Sequence, residues 1–335
     1  MLCRSTRDFV YKGDPKLLQG IPPHKSMFHI PAGKGLPIGN LTSQFFGNVY
    51  LNELDQFVKH ELKVKQYLRY VDDFVLLHTN REMLVYYRQR IEAFLTQRLA
   101  LTLKPEQTLK RVSEGADFLG YIVRPAYLLV RQRVVGNLRA RLRQCAGELL
   151  QEDGSQDEAV QSSLHLHLHE EPLRRLRQTL ASYLGHFSHA NARQLIRGLF
   201  NTFVWLHELF ALDAACRIYP CYEPTGLPAS MKEQYFWAEQ RYSGLCIFFQ
   251  VGCFCEWYGE QAERFGRFFG LGLQQDKRGC GITCGFPLRL LKSFKKRVRE
   301  ACIPYVVIGE RGYYPTGLKK RVVTELFLLQ RSASC

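Results

Sequence analysis

The chain has 335 residues, of which 46% are hydrophobic, and a formal net charge of +15 at pH 7. That length predicts two or three domains, and the apolar content excludes general disorder. The charge implies a polyanionic partner, nucleic acid before membrane, because no apolar run approaches the roughly 18 residues of a spanning helix.

Residues 1–34 carry Gly13, Pro15, Gly20, Pro22, Pro23, Pro31 and Gly33. This is loop punctuation with little periodicity. In the stretch 33–62, GKGLPIGNLTSQFFGNVYLNELDQFVKHEL, Gly35 and Gly39 free the backbone for close approach to a flat or charged partner. Ser43 is the expected N-cap of a helix on which Phe46, Val49, Tyr50, Leu54 and Phe57 recur at helical spacing. Residues 67–78, YLRYVDDFVLLH, then place Asp72 and Asp73 between two aromatic and β-branched runs, which predicts a tight hairpin with both carboxylates at its tip. Adjacent carboxylates repel each other and suit a divalent cation. Asp-Asp is also ordinary turn chemistry.

From 125 to 215 the pattern is helical. Arg131, Arg133, Arg139, Arg141 and Arg143 fall in a stretch without an acid, which suits contact with a duplex backbone or makes a solvated helix face. Residues 150–163 are aperiodic and acidic and read as a flexible insertion; LHLHLH at 164–169 reads as a solvated edge, because no carboxylate or cysteine frames it at ligand spacing. PCYEPTGLPAS at 220–230 reads as a linker, with a small mixed α/β domain beyond it over 231–335. Within it, MKEQYFWAEQRYSG reads as a helix and LCIFFQVGCFCEWYG as one buried strand with an abrupt glycine. Eleven cysteines, an odd number, with no apolar leader at Met1 predict reduced thiols in a cytoplasm. The CxC and CxxxC spacings of Cys253, Cys255, Cys280 and Cys284 fit structural zinc poorly.

GLPIGNLTSQ followed by YVDD resembles motifs B and C of reverse transcriptases, and the form IGNLTSQ is similar to the enzymes of diversity-generating retroelements. LTLKPEQT (101–108) resembles motif D, GADFLGY (115–121) the motif E primer grip, and SYLGHFSHAN (182–191) the thumb of that subfamily. The resemblance implies RNA-directed DNA synthesis with two Mg²⁺ ions, deoxynucleotides, an RNA template and its cDNA hybrid, and a small basic accessory protein. It implies that Asp72 and Asp73 are catalytic metal ligands. Ile38, Gly39, Ser43, Gln44 and Tyr70 would lie about the incoming nucleotide or primer end, and Phe118, Leu119, Gly120 and Tyr121 in the primer grip. An aliphatic Ile38, where faithful enzymes carry Gln, fits the adenine-directed infidelity of the subfamily. Gln107 replaces the motif D lysine, for which Lys104 or Lys110 could substitute. A DIxxFF-like motif A does not precede GLPIGN; Asp8 is the one tempting substitute, and Asp14 sits in a Gly-Asp-Pro turn. The chain thus resembles a reverse transcriptase without its front third, with an incomplete metal set.

Gly252, Cys253, Phe254, Cys255 and Glu256 resemble the G-x-F-x-E strand of the mismatch-recognising N-terminal domain of MutS proteins, and GFPLRLLKSFKKRV and KKRVVTELF come after it in the same order. Cys253 and Cys255 stand where MutS proteins usually carry Asp and Tyr. The resemblance implies that Phe254 wedges into a base step and Glu256 accepts a hydrogen bond from the displaced base. No GxxxxGK[ST] loop occurs, so no ATP site is expected. The expected fold is α+β: a partial polymerase palm over 1–124, a helical thumb over 125–219, a linker at 220–230 and a MutS-like unit over 231–335. The alternative function is non-catalytic binding of mismatched or hybrid duplexes.

Overall fold

The computed structural model describes residue 21 and residues 41–104, 109–150, 163–276, 279 and 281–329. They belong to two compact units, Met1–Arg111 and Val112–Cys335.

The first unit begins with helix α1 (Leu41–Gln56), which runs into a single wide turn at Phe57–Glu61. An antiparallel hairpin comes next, β1 (Gln66–Tyr70) and β2 (Asp73–Leu77), and then helix α2 (Arg81–Leu99). Asn80 caps α2 by accepting the Glu82 amide at 2.7 Å, and Ala100 ends it in the left-handed region at φ 49°. Tyr87, Ile91, Leu95 and Leu99 form the buried stripe of α2 and pack on Leu54, Phe57 and Val58, with the Phe57 and Phe94 rings stacked at 4.2 Å. Two expectations fail here. The helix is already formed at Leu41, so Ser43 is its third residue and not its cap. Val49 and Tyr50 share the helical period but are half exposed, and Tyr50 meets α2 through its hydroxyl, which donates to the Leu99 carbonyl at 2.6 Å.

The second unit opens with a three-stranded meander, β3 (Ala116–Phe118), β4 (Tyr121–Val123) and β5 (Leu128–Val130), and continues into α3 (Gln132–Leu149). β6 (Ser163–His167) precedes α4 (Glu170–Phe187), α5 (Arg193–Thr202) and the short α6 (Leu206–Leu209). A small ladder of β7 (Phe210–Leu212) and β8 (Ile218–Pro220) leads to α7 (Met231–Arg241), which Ser230 caps. The remaining elements are β9 (Cys246–Val251), β10 (Phe254–Tyr258), α8 (Gly259–Phe269), β11 (Gln274–Gln275), β12 (Ile282–Pro287), α9 (Leu291–Glu300), β13 (Tyr305–Tyr313) and β14 (Lys319–Leu329).

Seven strands form one sheet in the order β11-β12-β10-β9-β13-β14-β6, antiparallel except where β9 meets β13. One face packs Ile247, Phe249, Val306, Ile308 and Leu326 against the apolar stripes of α3, α4, α5 and α7. The other packs Phe248, Trp257, Tyr305 and Phe327 with Phe265 and Phe269 of α8 and Val298 of α9. Alternation along each strand feeds both cores, as period-2 side chains must.

The chain is α+β, but its boundaries differ from those expected. The stretch 220–230 does not separate two bodies: Tyr222 is buried, and its carbonyl accepts the Val323 amide at 2.8 Å. The Leu138, Leu142, Leu176 and Leu180 stripes of the expected thumb pack with Val323 and Leu326 in a single core. The units divide after Arg111, so the primer-grip-like hairpin belongs with α3 and α4 and not with the carboxylate hairpin. LHLHLH is an edge strand but not a solvated one. β6 pairs with β14 from Ser163↔Leu329 to His167↔Glu325, Leu166 and Leu168 enter the core, and His165 is 4% exposed. The single strand expected from LCIFFQVGCFCEWYG is a hairpin, because Gly252 takes φ 61° and turns the chain in two residues.

Candidate nucleic-acid interface

In the first unit, Tyr70 pairs with Asp73, so Val71 and Asp72 alone make the turn. Val71 sits at φ 55°. A β-branched residue in the left-handed region costs on the order of 1–3 kcal/mol and must be held there by its surroundings. The holding group is Arg69. It donates to the Val71 carbonyl at 2.7 Å and to Asn48 Oδ1 at 3.0 Å, and it grips Asp55 of α1 through Nε at 2.8 Å and through its other terminal nitrogen at 2.6 Å. Tyr67 adds a hydroxyl bond to Asp55 at 2.8 Å. Burial pushes the Asp55 carboxyl up, but the bonds from Arg69 and Tyr67 and the Arg69 charge hold it below the ordinary carboxylate range. Asn48, Asp55 and Arg69 thus form the platform of the turn; no sequence motif singles them out.

Asp72 and Asp73 are open to solvent, and Lys104 Nζ lies 3.8 Å from Asp72 Oδ2 and 3.5 Å from Asp73 Oδ1. Two exposed hard-oxygen donors suit one hydrated Mg²⁺, which keeps several waters and takes one or two protein carboxylates. Among the described residues no third carboxylate, histidine or cysteine groups with the pair at ligand spacing. The pair therefore fits one ion and does not by itself assemble two. Tyr70 is exposed beside it, and Ser43 and Gln44 lie in the first turn of α1. Ile38, Gly39, Asp8, Gln107 and Cys280 lie outside the described residues.

In the second unit, Phe118 pairs with Tyr121 across a turn made by Leu119 (φ 52°) and Gly120 (φ 86°), the two-residue geometry that matches strand twist. The Tyr121 hydroxyl donates to the His186 carbonyl at 2.8 Å and lies 2.9 Å from His186 Nδ1 under a stacked ring. A Cβ on Gly120 would come within 3.3 Å of that imidazole. Asn191 bonds both backbone groups of Leu128. The meander is thereby seated on the α4–α5 corner. Of the arginines, Arg131 is paired with Asp117 at 2.5 Å, and Arg141 lies over the Tyr183 ring at 5.7 Å and lines an open groove with Glu148 and Arg175. Arg133, Arg139 and Arg143 stand exposed on α3, opposite its buried stripe of Val135, Leu138 and Leu142. The stretch without acids in sequence thus meets Asp117 and Glu148 in space.

Phe254 begins β10 immediately after the Gly252–Cys253 turn and is 45% exposed, so it is not a core residue. Cys255 and Trp257 point the other way, into the core. Glu256, on the Phe254 side of the pleat, accepts a short hydrogen bond from the Tyr258 hydroxyl. The turn is clamped on both sides. The Gly252 amide donates to Glu310 Oε1 at 3.0 Å and its carbonyl accepts from Gln250 Nε2 at 3.0 Å, while the Cys253 carbonyl accepts the Leu288 amide at 2.8 Å. Glu310 is in turn held by Arg321 at 2.6 Å and Lys319 at 2.7 Å. Burial raises the Glu310 carboxyl, but the bonds from Lys319 and the Gly252 amide, with the Arg321 charge, hold it below its ordinary value. Gln250, Glu310 and Arg321 were invisible to motif reasoning because β9, β13 and β14 meet only in the folded sheet. Gly285 faces Glu256 so closely that a Cβ there would lie 2.7 Å from the Cys255 carbonyl oxygen.

No helix among the described residues is long and apolar enough to cross a membrane. No curated protein matches the chain. Residues 229–302, from the Ser230 cap through α9, match the family described as MutS domain I; the match contains Phe254 and Glu256 and ends before KKRVVTELF.

Proposed function

We propose that the chain binds a nucleic-acid duplex and reads its distortion with Phe254. The observation that carries this is an exposed aromatic ring at the end of a hydrogen-bonded strand, inside the stretch that matches MutS domain I. Inserting a ring between bases costs a few kcal/mol of stacking, and least where the pair is already mismatched. A rigid turn lets the ring select weak steps without ordering itself first. Glu256, oriented by Tyr258, lies on the same side of the strand to meet an unpaired base edge. The net charge of +15 supplies the sequence-independent attraction. The test is fluorescence anisotropy of the full chain with matched and single-mismatch DNA duplexes and with an RNA–DNA hybrid. Mismatched duplex is expected to bind about tenfold tighter, with the preference lost and the salt dependence kept in Phe254→Ala. Equal affinity for matched and mismatched duplexes overturns the reading.

A second reading is favoured by the strained Val71 turn that presents Asp72 and Asp73. In it the chain forms part of an error-prone retroelement reverse transcriptase in a reducing cytoplasm, with an RNA template, deoxynucleotides, Mg²⁺ and a small basic accessory protein. Strain at a functional turn persists where the position of the side chains matters. Primer extension on an RNA template with Mg²⁺ tests it. Synthesis by the wild type that Asp72→Ala abolishes supports the reading, and synthesis by neither removes it.

A further inference from the structure

We propose that His165, His167 and Glu325 form a divalent transition-metal site that pins the edge strand β6 to β14. The two histidines alternate with Leu166, so they share one face of β6, and their rings lie 4.3 Å apart. Register brings Glu325 directly opposite His167. One ligand atom can be chosen from each of the three residues such that all lie within 4.8 Å of one another. Small side-chain rotations bring such a set to the 2.0–2.2 Å bond lengths of zinc with nitrogen and carboxylate oxygen.

Two orphaned atoms make this more than a charge cluster. His165 Nδ1 and His167 Nε2 are buried without a hydrogen-bond partner, and His165 itself is 4% exposed. Buried polar atoms are nearly always satisfied, and an ion bound at the imidazole nitrogens would satisfy both of these. The carboxylate is also held as metal-binding carboxylates are. Tyr305 donates its hydroxyl to Oε1 at 2.6 Å and Lys295 its ammonium to Oε2, which fixes the orientation of the Glu325 head group. His165 Nε2 and Glu325 Oε1 lie 2.9 Å apart, so Nδ1 is the nitrogen of that ring left for an ion. Two imidazoles with one carboxylate select the zinc class over magnesium or calcium. The elements joined are distant in sequence: β6 belongs to the helical half of the unit, and Glu325 lies 160 residues later.

The test uses the full, tag-free, reduced chain. Zn²⁺ is titrated against a chromophoric chelator, and Co²⁺ is added in a parallel experiment as a spectroscopic probe. One equivalent of Zn²⁺ that raises Tm is expected, with affinity at least tenfold weaker in His167→Gln, whose folding is checked by circular dichroism. The cobalt spectrum should show ligand-field bands without thiolate charge transfer, which separates this site from the cysteines. Should His167→Gln fail to fold, the imidazole ¹⁵N resonances of the wild type decide: two rings are expected to shift on Zn²⁺ addition. Failure to bind Zn²⁺, affinity unchanged in His167→Gln, thiolate bands from the bound cobalt, or unshifted imidazole resonances would each overturn the proposal.

Discussion

Arg69 and Val71 are joined by a 2.7 Å hydrogen bond from the guanidinium to the carbonyl of a turn residue at φ 55°. The same guanidinium is clasped by Asp55 on α1. The helix therefore sets the conformation of the Asp72–Asp73 turn through one side chain, and both partners of that bridge are accessible to mutation.

Asp55→Asn should destabilise the first unit by about 1–3 kcal/mol at pH 7, the usual worth of hydrogen bonds to a charged group. Its carboxyl is held below its unfolded value near 3.8, so the unfolded chain takes up the proton first as pH falls. The stabilisation is thus fully present above about pH 5 and lost as pH drops through the folded pKa. The gap between wild type and Asp55→Asn should narrow from pH 7 to pH 3. Hydrogen exchange of the α1 and β1 amides at both values measures it; a gap independent of pH would show that the carboxylate charge is not what holds Arg69.

Val71→Asn should stabilise the chain. Asn tolerates the left-handed region that costs a β-branched residue about 1–2 kcal/mol, and Val71 is 44% exposed, so little burial is forfeited. Urea unfolding should show a gain of about 1 kcal/mol. A loss instead would mean that the valine side chain contributes packing that its exposure does not reveal.

How much of this was legible in the sequence depends on the range over which each feature is made. The hairpin at Asp72 and the helical pattern that α3, α4 and α5 carry come from local alternation and turn chemistry, although the turn is Val71–Asp72 and Asp73 already belongs to β2 and not to the tip. The Ser43 cap failed because a polar residue within the first helical turn looks the same as one just before it. The linker at 220–230 failed because prolines and a glycine mark a change of direction as well as a boundary. Only the pairing of Val323 with Tyr222 shows which. The role of LHLHLH could not be read at all, since Glu325 reaches it by strand register and not by spacing.

Glu310→Gln tests whether the turn before Phe254 is rigid by construction. The change removes the charge that meets Arg321, itself 5% exposed at its side chain, and weakens the acceptor of the Gly252 amide. Breaking a buried ion pair by removing one charge costs about 3–5 kcal/mol, and a loss toward the lower end is expected because Arg321 keeps its bonds to the Gln250 and Lys319 carbonyls. Exchange of the Gly252 amide should accelerate more than that of the β13–β14 ladder. Equal acceleration everywhere would show that Glu310 supports the sheet and not the turn in particular.

Two glycines make opposite predictions from the same substitution. Gly285 on β12 faces Glu256 across the ladder, and a methyl there would sit 2.7 Å from the Cys255 carbonyl oxygen and 3.2 Å from the Glu256 side chain. The nearest obstacle is backbone, which can yield only by prising β12 from β10. Gly285→Ala should therefore cost about 1–3 kcal/mol, the usual range of overpacking, and should weaken duplex binding by displacing the strand that carries Phe254. Gly136 lies inside α3 with nothing within 4 Å of its would-be Cβ. Gly136→Ala relieves the entropic penalty of a helical glycine and should gain about 0.5–1 kcal/mol. Urea midpoints of the two variants, measured against wild type, should fall on opposite sides of it. If Gly285→Ala proved neutral, β12 would have room to move away from β10, and Phe254 would lose the rigid footing on which its selection of weak base steps depends.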